Sequence, residues 1–334
     1  MKILLRDRVI YFTAVILVMI LLSGCKNDNE DVVSPPISSN WHLQISNVTN
    51  NLKDIYFIDS LTGYAAGNSS PNDTNKLIKT TDGGANWFRK PVGVTNASLT
   101  SLYFFDGQTG FAAGSNAAII KTLDGGTTWG LCAVGVSDYL FDIEFFDTQY
   151  GIACGINGKI LRTSNFGDTW LECVTPNLAE LYSISIPQFT TGEAYVSGEY
   201  GTMLYTNNYG FSWQQQNTGT TNHLKSVFFT GSDSGFACGN NGTILRTINK
   251  GGTWSVVNYP QPTMFNSVFF ADSRTGYICG DGGVILKSVD AGSSYGVEIP
   301  VTSNFLRRVF FLNRQQGWIA GESGTILHTN GTSN

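Results

Sequence analysis

One pattern of about 41 residues recurs seven times between residue 52 and the end of this 334-residue chain. The copies align on a glycine that closes a run of small residues, and successive glycines are 47, 41, 43, 41, 41 and 41 residues apart. These glycines are Gly67, Gly114, Gly155, Gly198, Gly239, Gly280 and Gly321. A period of about 40 to 45 residues with several short apolar runs predicts four-stranded propeller blades, because helical repeats would show 3.6-residue periodicity.

The fifth copy illustrates the predicted blade. Residues 224–229, 235–238, 243–246 and 254–257 are β-rich runs separated by short turns that contain Gly, Asn or Ser. Strands of this length bury too little surface to be stable alone. The blades must therefore stack on one another, and we expect the stack to be stabilised by closing into a ring.

The two ends of the repeat region complement each other. The seventh copy ends at residue 334 without a fourth strand, whereas residues 41–47, which begin with Trp41, have the pattern of an isolated fourth strand. We therefore expect an all-β, seven-bladed propeller over residues 41–334 with antiparallel four-stranded blades. The N-terminal strand would complete the last blade and leave no open sheet edge.

Residues 1–24 have the composition of a targeting leader rather than of a folded domain. A basic start, an apolar core of about 14 residues and a small-residue site before Cys25 resemble a bacterial lipoprotein signal. A membrane span needs roughly 20 apolar residues, so an anchor helix is the weaker interpretation. The resemblance implies a lipid on Cys25 that attaches an exported protein to the outer membrane, on its periplasmic side or at the cell surface.

Residues 25–40 are expected to be the lipidated cysteine and a disordered tether, since they are polar and rich in Ser and Pro. An acidic cluster follows Cys25. It resembles the surface-export signal of some Bacteroidota lipoproteins, and an ordinary solvated linker is the alternative.

The charge balance limits the classes of partner. The whole chain carries a net charge of −5 and residues 1–24 carry +2, so the remainder is near −7. Nucleic acid is an unfavourable partner for so acidic a protein. We expect a monomer without a cofactor.

The cysteines indicate packing rather than chemistry. Cys154, Cys238 and Cys279 directly precede a repeat glycine, where the other copies have Ala or Ser, so we interpret them as small core residues. Cys132 and Cys173 each follow a repeat tryptophan by three residues. A disulfide between these two cysteines remains an alternative to two free thiols. No close Cys/His spacing indicates zinc, and we expect no metal site.

A turn motif of the form Thr-x-Asp-x-Gly-x-x-Trp recurs between the third and fourth predicted strands. It resembles the Asp-box, or BNR repeat, in six copies. A short Asp or Asn side chain can bind the turn amides while Gly adopts a positive φ, so the motif is a strong signal of fold and a weak one of chemistry. The Asp-box positions are Asp82, Asp124, Asn165, Asn208, Asn249 and Asp290.

Asp-box propellers include sialidases, so a glycoside hydrolase is the alternative to a binding protein. The Arg-Ile-Pro motif typical of such sialidases does not occur here. Asp54 and Asp142 occupy one repeat position, but Ser or Arg308 fills it in the other copies, which indicates a polar rim rather than a catalytic pair. A catalytic pair of carboxylates contributed by two different blades remains an alternative. A purely structural component of the cell envelope is a further one.

A closer resemblance covers residues 41–334. The phrase [Ile/Leu]-[Arg/Lys]-Thr-x-[Asp/Asn]-x-Gly-x-x-Trp, with an aromatic pair such as Phe228-Phe229 before it, resembles the photosystem II stability and assembly factor family. This resemblance implies a non-catalytic scaffold that binds a protein client, with an arginine patch contributing to the contact. The basic residues that would correspond are Lys79, Lys121, Arg162, Arg246 and Lys287. A structural pairing with the neighbouring Asp-box turns is the alternative for them.

The candidate partner face is the one with the blade-to-blade connections. Residues there differ strongly between copies, which marks positions that the fold does not dictate. A protein or a glycan is the expected partner, and the tether would leave from the opposite, Asp-box face. The candidate partner-binding residues are Tyr139, Glu180, His223, Lys225, Phe305, Arg307 and Arg308, with Asn72 and Asp73 in the long loop of the first copy.

Overall fold

The computed structural model describes residues 41–68, 76–93, 97–135, 137–188 and 190–330. Within these residues the chain forms seven sheets, and the first strands of neighbouring blades contact one another all the way around a ring. The predicted seven-bladed propeller is therefore confirmed. None of the helical segments in the described part of the chain has the length and apolarity needed to cross a membrane.

The strands follow the repeat. The first is β1 (His42–Gln44), and blade 1 comprises β2 (Leu52–Phe57), β3 (Gly63–Gly67), β4 (Leu77–Thr80) and β5 (Phe88–Lys90). Blade 2 comprises β6 (Leu99–Phe104), β7 (Gly110–Gly114), β8 (Ile119–Thr122) and β9 (Gly130–Leu131). Blade 3 comprises β10 (Ala133–Val134), β11 (Leu140–Phe145), β12 (Gly151–Gly155), β13 (Ile160–Thr163) and β14 (Thr169–Glu172).

The remaining blades repeat this order. Blade 4 comprises β15 (Leu181–Ser185), β16 (Ala194–Gly198), β17 (Met203–Thr206) and β18 (Gln214–Gln215). Blade 5 comprises β19 (Leu224–Phe229), β20 (Gly235–Gly239), β21 (Ile244–Thr247) and β22 (Ser255–Val256). Blade 6 comprises β23 (Phe265–Phe270), β24 (Gly276–Gly280), β25 (Ile285–Ser288) and β26 (Gly296–Val297), and blade 7 comprises β27 (Leu306–Phe311), β28 (Gly317–Gly321), β29 (Ile326–Thr329) and the N-terminal β1.

Short 3-10 turns connect the second and third strands of five blades. They are Ser115–Ala117, Glu199–Gly201, Asn240–Gly242, Asp281–Gly283 and Glu322–Gly324.

The second strand of every blade is fully buried, which explains its small residues. The repeat glycine at its end is required by a close approach of main chain. A Cβ on Gly239 would lie 1.8 Å from the carbonyl oxygen of His223, at the start of the same blade. Because the clash is with backbone rather than with a flexible side chain, only glycine fits there.

The ring closes as predicted. β1 pairs antiparallel with β29, with His42 opposite His328 and Gln44 opposite Ile326. Trp41 is 3% exposed and packs against blade 6. β1 therefore begins at the end of the propeller where the Asp-box turns lie, because the third strand of each blade runs into its Asp-box turn.

Blade 3 differs from the expected four strands. The short β10 pairs parallel with β14, and Ala133 lies opposite Thr169. The amide of Cys132 still donates to Ile119 O in blade 2, at 2.8 Å. The chain therefore leaves the outer edge of blade 2 and adds two residues to the outer edge of blade 3 before it enters that blade.

The Asp-box turns have the predicted hydrogen bonds. In blade 2, Thr122 Oγ1 donates to Asp124 Oδ1 at 2.9 Å and accepts from Gly126 N at 2.9 Å, while Asp124 Oδ1 accepts from Thr128 N at 2.8 Å. Gly126 has φ +77°. Hydrogen bonds from Thr128 lower the pKa of Asp124 to about 2. The other five copies repeat this pattern, so these side chains stabilise turns.

All five cysteines in the described part of the chain are free. Cys154, Cys238 and Cys279 are buried, as predicted for small core residues, and Cys132 and Cys173 are half-buried without a bridge. No group of metal-ligating side chains occurs among the described residues. The predicted leader and tether, residues 1–40, lie outside the described residues.

Candidate functional site in the central channel

The seven first strands surround a central channel. Each of these strands begins with a β-bulge between its first and third residues, as at Leu52 and Asp54. The second, third and fifth residues of the strands form successive layers along the channel. The second residues form a layer that we call the mouth, the third residues a polar ring and the fifth residues the wall of an inner cavity.

The polar ring joins each blade to the next. Asp54 Oδ2 accepts from Leu102 N at 2.7 Å, Asp142 Oδ2 accepts from Ile184 N at 2.8 Å, and Ser101, Ser183, Ser226 and Ser267 accept in the same way. These six side chains are at most 2% exposed. The expectation of a polar rim is therefore wrong, because this position lies inside the channel and satisfies amides of the next blade.

Arg308 occupies the seventh place in this ring, at the seam between blade 7 and blade 1. A guanidinium cannot accept a hydrogen bond, so the amide of Ile55 is satisfied by its own neighbour, Asp54 Oδ1, at 2.8 Å. Arg308 Nε lies 3.2 Å from Asp54 Oδ1, and its terminal nitrogen lies 4.0 Å from Asp142 Oδ2. An ion pair thus replaces the amide contact where the ring closes.

Burial dominates the electrostatics of this layer. It raises the pKa of Asp54 to about 6, although Arg308 opposes the shift. Burial and then the charge of Asp142 hold the pKa of Glu144, in the layer below, well above its usual value. Burial would lower the pKa of Arg308, but the carboxylates of Asp54 and Asp142 raise it above its usual range. The polar ring and the layer below it therefore contain three carboxyl groups that compete for one cation, Arg308.

The inner cavity has a volume of about 450 Å³. Five of its seven wall residues form an aromatic arc, with ring centroids 4.6, 5.6, 5.0 and 6.2 Å apart from one blade to the next. The arc consists of Phe228, Phe269, Phe310, Tyr56 and Tyr103. Glu144 and Ser185 fill the remaining two places.

The inner cavity extends towards the turns between first and second strands, since Thr230, Asp272 and Ser273 also line it. These turns share a face with the Asp-boxes, as the hydrogen bond from Gly125 N to Gln108 O shows. The inner cavity therefore lies at the Asp-box end of the channel and the mouth at the other end.

The mouth is a hollow of about 180 Å³. Lys225 Nζ lies 3.5 Å from the centroid of the Tyr182 ring. Burial lowers the pKa of both Lys53 and Lys225, and the charge of Arg307 adds to this. Arg307 itself pairs with Glu322 and lies 3.6 Å from Asp281.

Three candidate partner-binding residues, Tyr139, Lys225 and Arg307, line the mouth together. Two more contact its lining: the Tyr182 hydroxyl donates to Glu180 at 3.1 Å, and the Arg307 guanidinium lies 5.4 Å from the Phe305 ring.

The other candidates have different positions. His223 Nδ1 lies 3.5 Å from Glu199 Oε1, and the same oxygen accepts a hydrogen bond from the Tyr182 hydroxyl at 3.3 Å. Arg308 lies one layer deeper than the mouth, in the polar ring. Asn72 and Asp73 lie outside the described residues.

The basic residues of the third strands reach the neighbouring blade. Lys79 Nζ donates to Gly125 O at 2.7 Å, Lys121 Nζ donates to Phe166 O at 2.8 Å, and Arg162 lies 3.7 Å from the Phe211 ring. Each of these contacts is with the Asp-box turn of the next blade. The structural alternative therefore accounts for these three, while Arg246 is half-buried on β21 and Lys287 is buried on β25.

Sequence reasoning missed Glu144 and the aromatic arc. A signal was present: the fifth residue of the first strand is aromatic in five copies and is Glu144 or Ser185 in the other two. The first member of each aromatic pair lines the cavity and the second packs in the core, as Phe228 and Phe229 show.

Comparison with known proteins supports the resemblance found in the sequence. A family model described as "Photosynthesis system II assembly factor YCF48" matches residues 33–133, 127–220, 182–248 and 211–300. Together these matches span more than half of the chain.

Two solved structures show the same fold. One, described as "YCF48 bound to D1 peptide", has a TM-score of 0.76 and 19% identity, over 91% of this chain and 100% of that one. The other, YCF48 from Cyanidioschyzon merolae, has a TM-score of 0.73 and 16% identity, over 87% and 99% of the two chains. No curated protein matches this sequence significantly.

Proposed function

This chain belongs to the Photosynthesis system II assembly factor YCF48 family, and from that premise we propose that it is a non-catalytic scaffold that binds an extended segment of a protein partner at the mouth of its channel. A relative of the same fold is described as bound to a D1 peptide, which supports a peptide-binding role. The partner of this chain need not be the same protein, because only the fold is shared with that structure.

The observation that carries this proposal is the composition of the mouth. Its lining contains Lys53, Lys225 and Arg307 together with three aromatic residues. Acidic side chains lie just outside this lining, with Glu322 acting on Lys53 and with Glu180 and Glu199 acting on Lys225. Among the described residues, none hydrogen-bonds to the ammonium group of Lys53 or Lys225. Partly desolvated cations beside aromatic rings favour a partner that supplies carboxylates and apolar side chains.

Photo-cross-linking in native membranes tests the mouth directly. A photo-reactive residue in place of Phe305, which is 41% exposed beside Arg307, is expected to form adducts with a discrete set of proteins. The double change Lys53→Met and Lys225→Met is expected to reduce their yield roughly tenfold, because it removes the charges that pair with the partner.

Two matched positions make this result specific. A photo-reactive residue in place of Phe88, exposed on the outer strand of blade 1, should give no common adducts, and Lys250→Met, on the Asp-box side, should leave the Phe305 adducts unchanged. Equal adducts from both positions, or adducts that survive the double change, would overturn the proposal.

A sialidase-like hydrolase is the competing function, and the raised pKa of Glu144 is the feature that favours it, since a general acid needs such a carboxyl. Against it, Asp54 and Asp142 each accept hydrogen bonds from backbone amides. Of the described arginines, the channel holds two, Arg307 and Arg308, in different layers and already paired with acids. Turnover of chromogenic sialosides or glucosides that disappears in Glu144→Gln would establish the enzyme instead.

We further infer that the scaffold works at a bacterial cell envelope, attached by lipid on Cys25. The leader composition supports this attachment. Since β1 begins at the Asp-box end of the propeller, a tether before Trp41 would leave the mouth pointing away from the membrane.

Metabolic labelling with an alkyne fatty acid tests the attachment. The wild-type protein is expected to be labelled and to sediment with membranes, whereas Cys25→Ser should lose the label and become soluble. Cys132→Ser, which alters a half-buried cysteine of the propeller, serves as the control and should retain both properties. Membrane attachment of Cys25→Ser without label would contradict the lipid anchor.

A further inference from the structure

The inner cavity is lined by more acidic than basic side chains, and the polar ring supplies only one cation to it. Its lining includes the acidic residues Asp54, Glu144 and Asp272 and a single basic residue, Arg308. Asp54 is paired with Arg308, and Asp272 with Arg314. Glu144 is left without a hydrogen-bond donor among the described residues.

Glu144 lies in an unusual setting for a carboxyl group. Tyr103, on one neighbouring blade, continues the aromatic arc, and on the other neighbouring blade the Ser185 hydroxyl oxygen accepts a hydrogen bond from Phe229 N at 2.9 Å. This setting disfavours the ionised form of the Glu144 carboxyl, and a ligand that brings a positive charge into the cavity would stabilise that form.

Aromatic rings favour the same kind of ligand. A desolvated ammonium or guanidinium is attracted to the electron-rich face of Tyr or Phe, and arrangements of several rings around one cation recognise quaternary ammonium groups. The arc supplies five rings beside one acid, and the volume of about 450 Å³ suits a small ligand or one long side chain.

We propose that the inner cavity binds an organic cation, held by the Glu144 carboxylate and the aromatic arc. This site is at the opposite end of the channel from the mouth, and it does not depend on the proposed function. The cation is either a free small molecule or a lysine or arginine side chain of a polypeptide. Both carry the same chemistry, and the experiment separates them.

Choline and its uncharged isostere 3,3-dimethylbutan-1-ol are the first probes. Calorimetric or NMR titration is expected to show choline binding at least about tenfold more tightly than the alcohol. Glu144→Gln should sharply reduce this preference without changing the affinity for the alcohol, and the aromatic arc should account for the part that remains. Phe228→Leu, which removes one ring while it keeps an apolar side chain, should weaken choline several-fold and provides a second variant.

The binding should also depend on pH. The groups that face Glu144 are Asp142 on its own strand, Asp54 and Tyr56 on β2, Tyr103 on β6 and Arg308 on β27. A bound cation favours the ionised carboxyl, so binding releases a proton and the affinity for choline rises with pH. Glu144→Gln should remove this proton release.

A blocked pentapeptide, Gly-Gly-Lys-Gly-Gly, and its norleucine counterpart are the second pair of probes. Preferential binding of the lysine peptide over choline identifies a polypeptide side chain as the ligand, and the reverse identifies a small molecule. Phe88→Leu, which makes the same change as Phe228→Leu on the exposed outer strand of blade 1, should change neither titration. The proposal is overturned if neither charged probe binds, if charged and neutral probes bind equally, or if Glu144→Gln leaves the preference intact.

Discussion

Replacement of Arg308 by methionine is expected to destabilise the protein by about 3–5 kcal/mol at pH 8, because it leaves Asp54 and Asp142 buried without their cation. The loss should shrink as the pH falls. The pKa of Asp54 is already raised to about 6 from 3.8, so the folded protein binds a proton more tightly than the unfolded chain. Without Arg308 this pKa would rise further, and stability would fall more steeply as the pH rises above about 4.

Urea denaturation at pH 4.5, 6 and 8 measures this dependence. Arg307→Met is the matched control, since Arg307 is the adjacent residue but pairs with Glu322 and Asp281. The side chains of these two acids are 25% and 26% exposed, whereas those of the acids that face Arg308 are 3% exposed. Its cost is expected to be about 1 kcal/mol or less. The same loss at all three pH values for Arg308→Met would show that packing, and not charge compensation at the seam, is what Arg308 provides.

The second large effect is expected where β1 completes blade 7, from Trp41→Ala. Trp41 is 3% exposed, and its ring centroid lies 6.0 Å from that of Tyr277 and 5.8 Å from that of Phe311, both in edge-to-face geometry. It also hydrogen-bonds with Glu298. Loss of such a buried aromatic residue costs about 3–5 kcal/mol.

Amide hydrogen exchange shows which strands lose protection in this variant. Because β1 adds only three residues to its sheet, Trp41→Ala should release the amides of β29 well before those of blade 4. Leu43→Ala, at a 61% exposed position on the same strand, should cost less than about 0.5 kcal/mol and leave exchange unchanged. A uniform loss of protection in all blades would mean that the pairing of β1 with β29 is no weaker than the contacts within and between the other blades.

The period of the repeat was sufficient to predict the architecture. In blade 5 the predicted strands 224–229, 235–238 and 243–246 correspond to β19, β20 and β21 within one residue at each end. This agreement has a local cause, since the strands are bounded by turn residues that leave little freedom. The last run, 254–257, shortened to Ser255–Val256, because the outer strand lacks a second neighbour to hold its ends.

The site was harder to predict because it depends on which copies become neighbours. Arg308 and Asp54 hold the same repeat position but are far apart in sequence, and they meet only when blade 7 joins blade 1. Their opposite charges at a position that is polar in all seven copies were the available signal. The extra strand β10 had no such signal, since Ala133 and Val134 are ordinary connecting residues.

The antiparallel pairing of β1 with β29 determines how the molecule would bear mechanical load. A pull on the chain before Trp41 acts along β1, and a ligand that holds the mouth would pull the ring in the opposite direction. Under this geometry the hydrogen bonds from His42 to Gln44 are strained together in shear rather than peeled apart singly. The pairing of β1 with β29 is thus oriented to resist extension between the proposed anchor and a ligand held at the mouth.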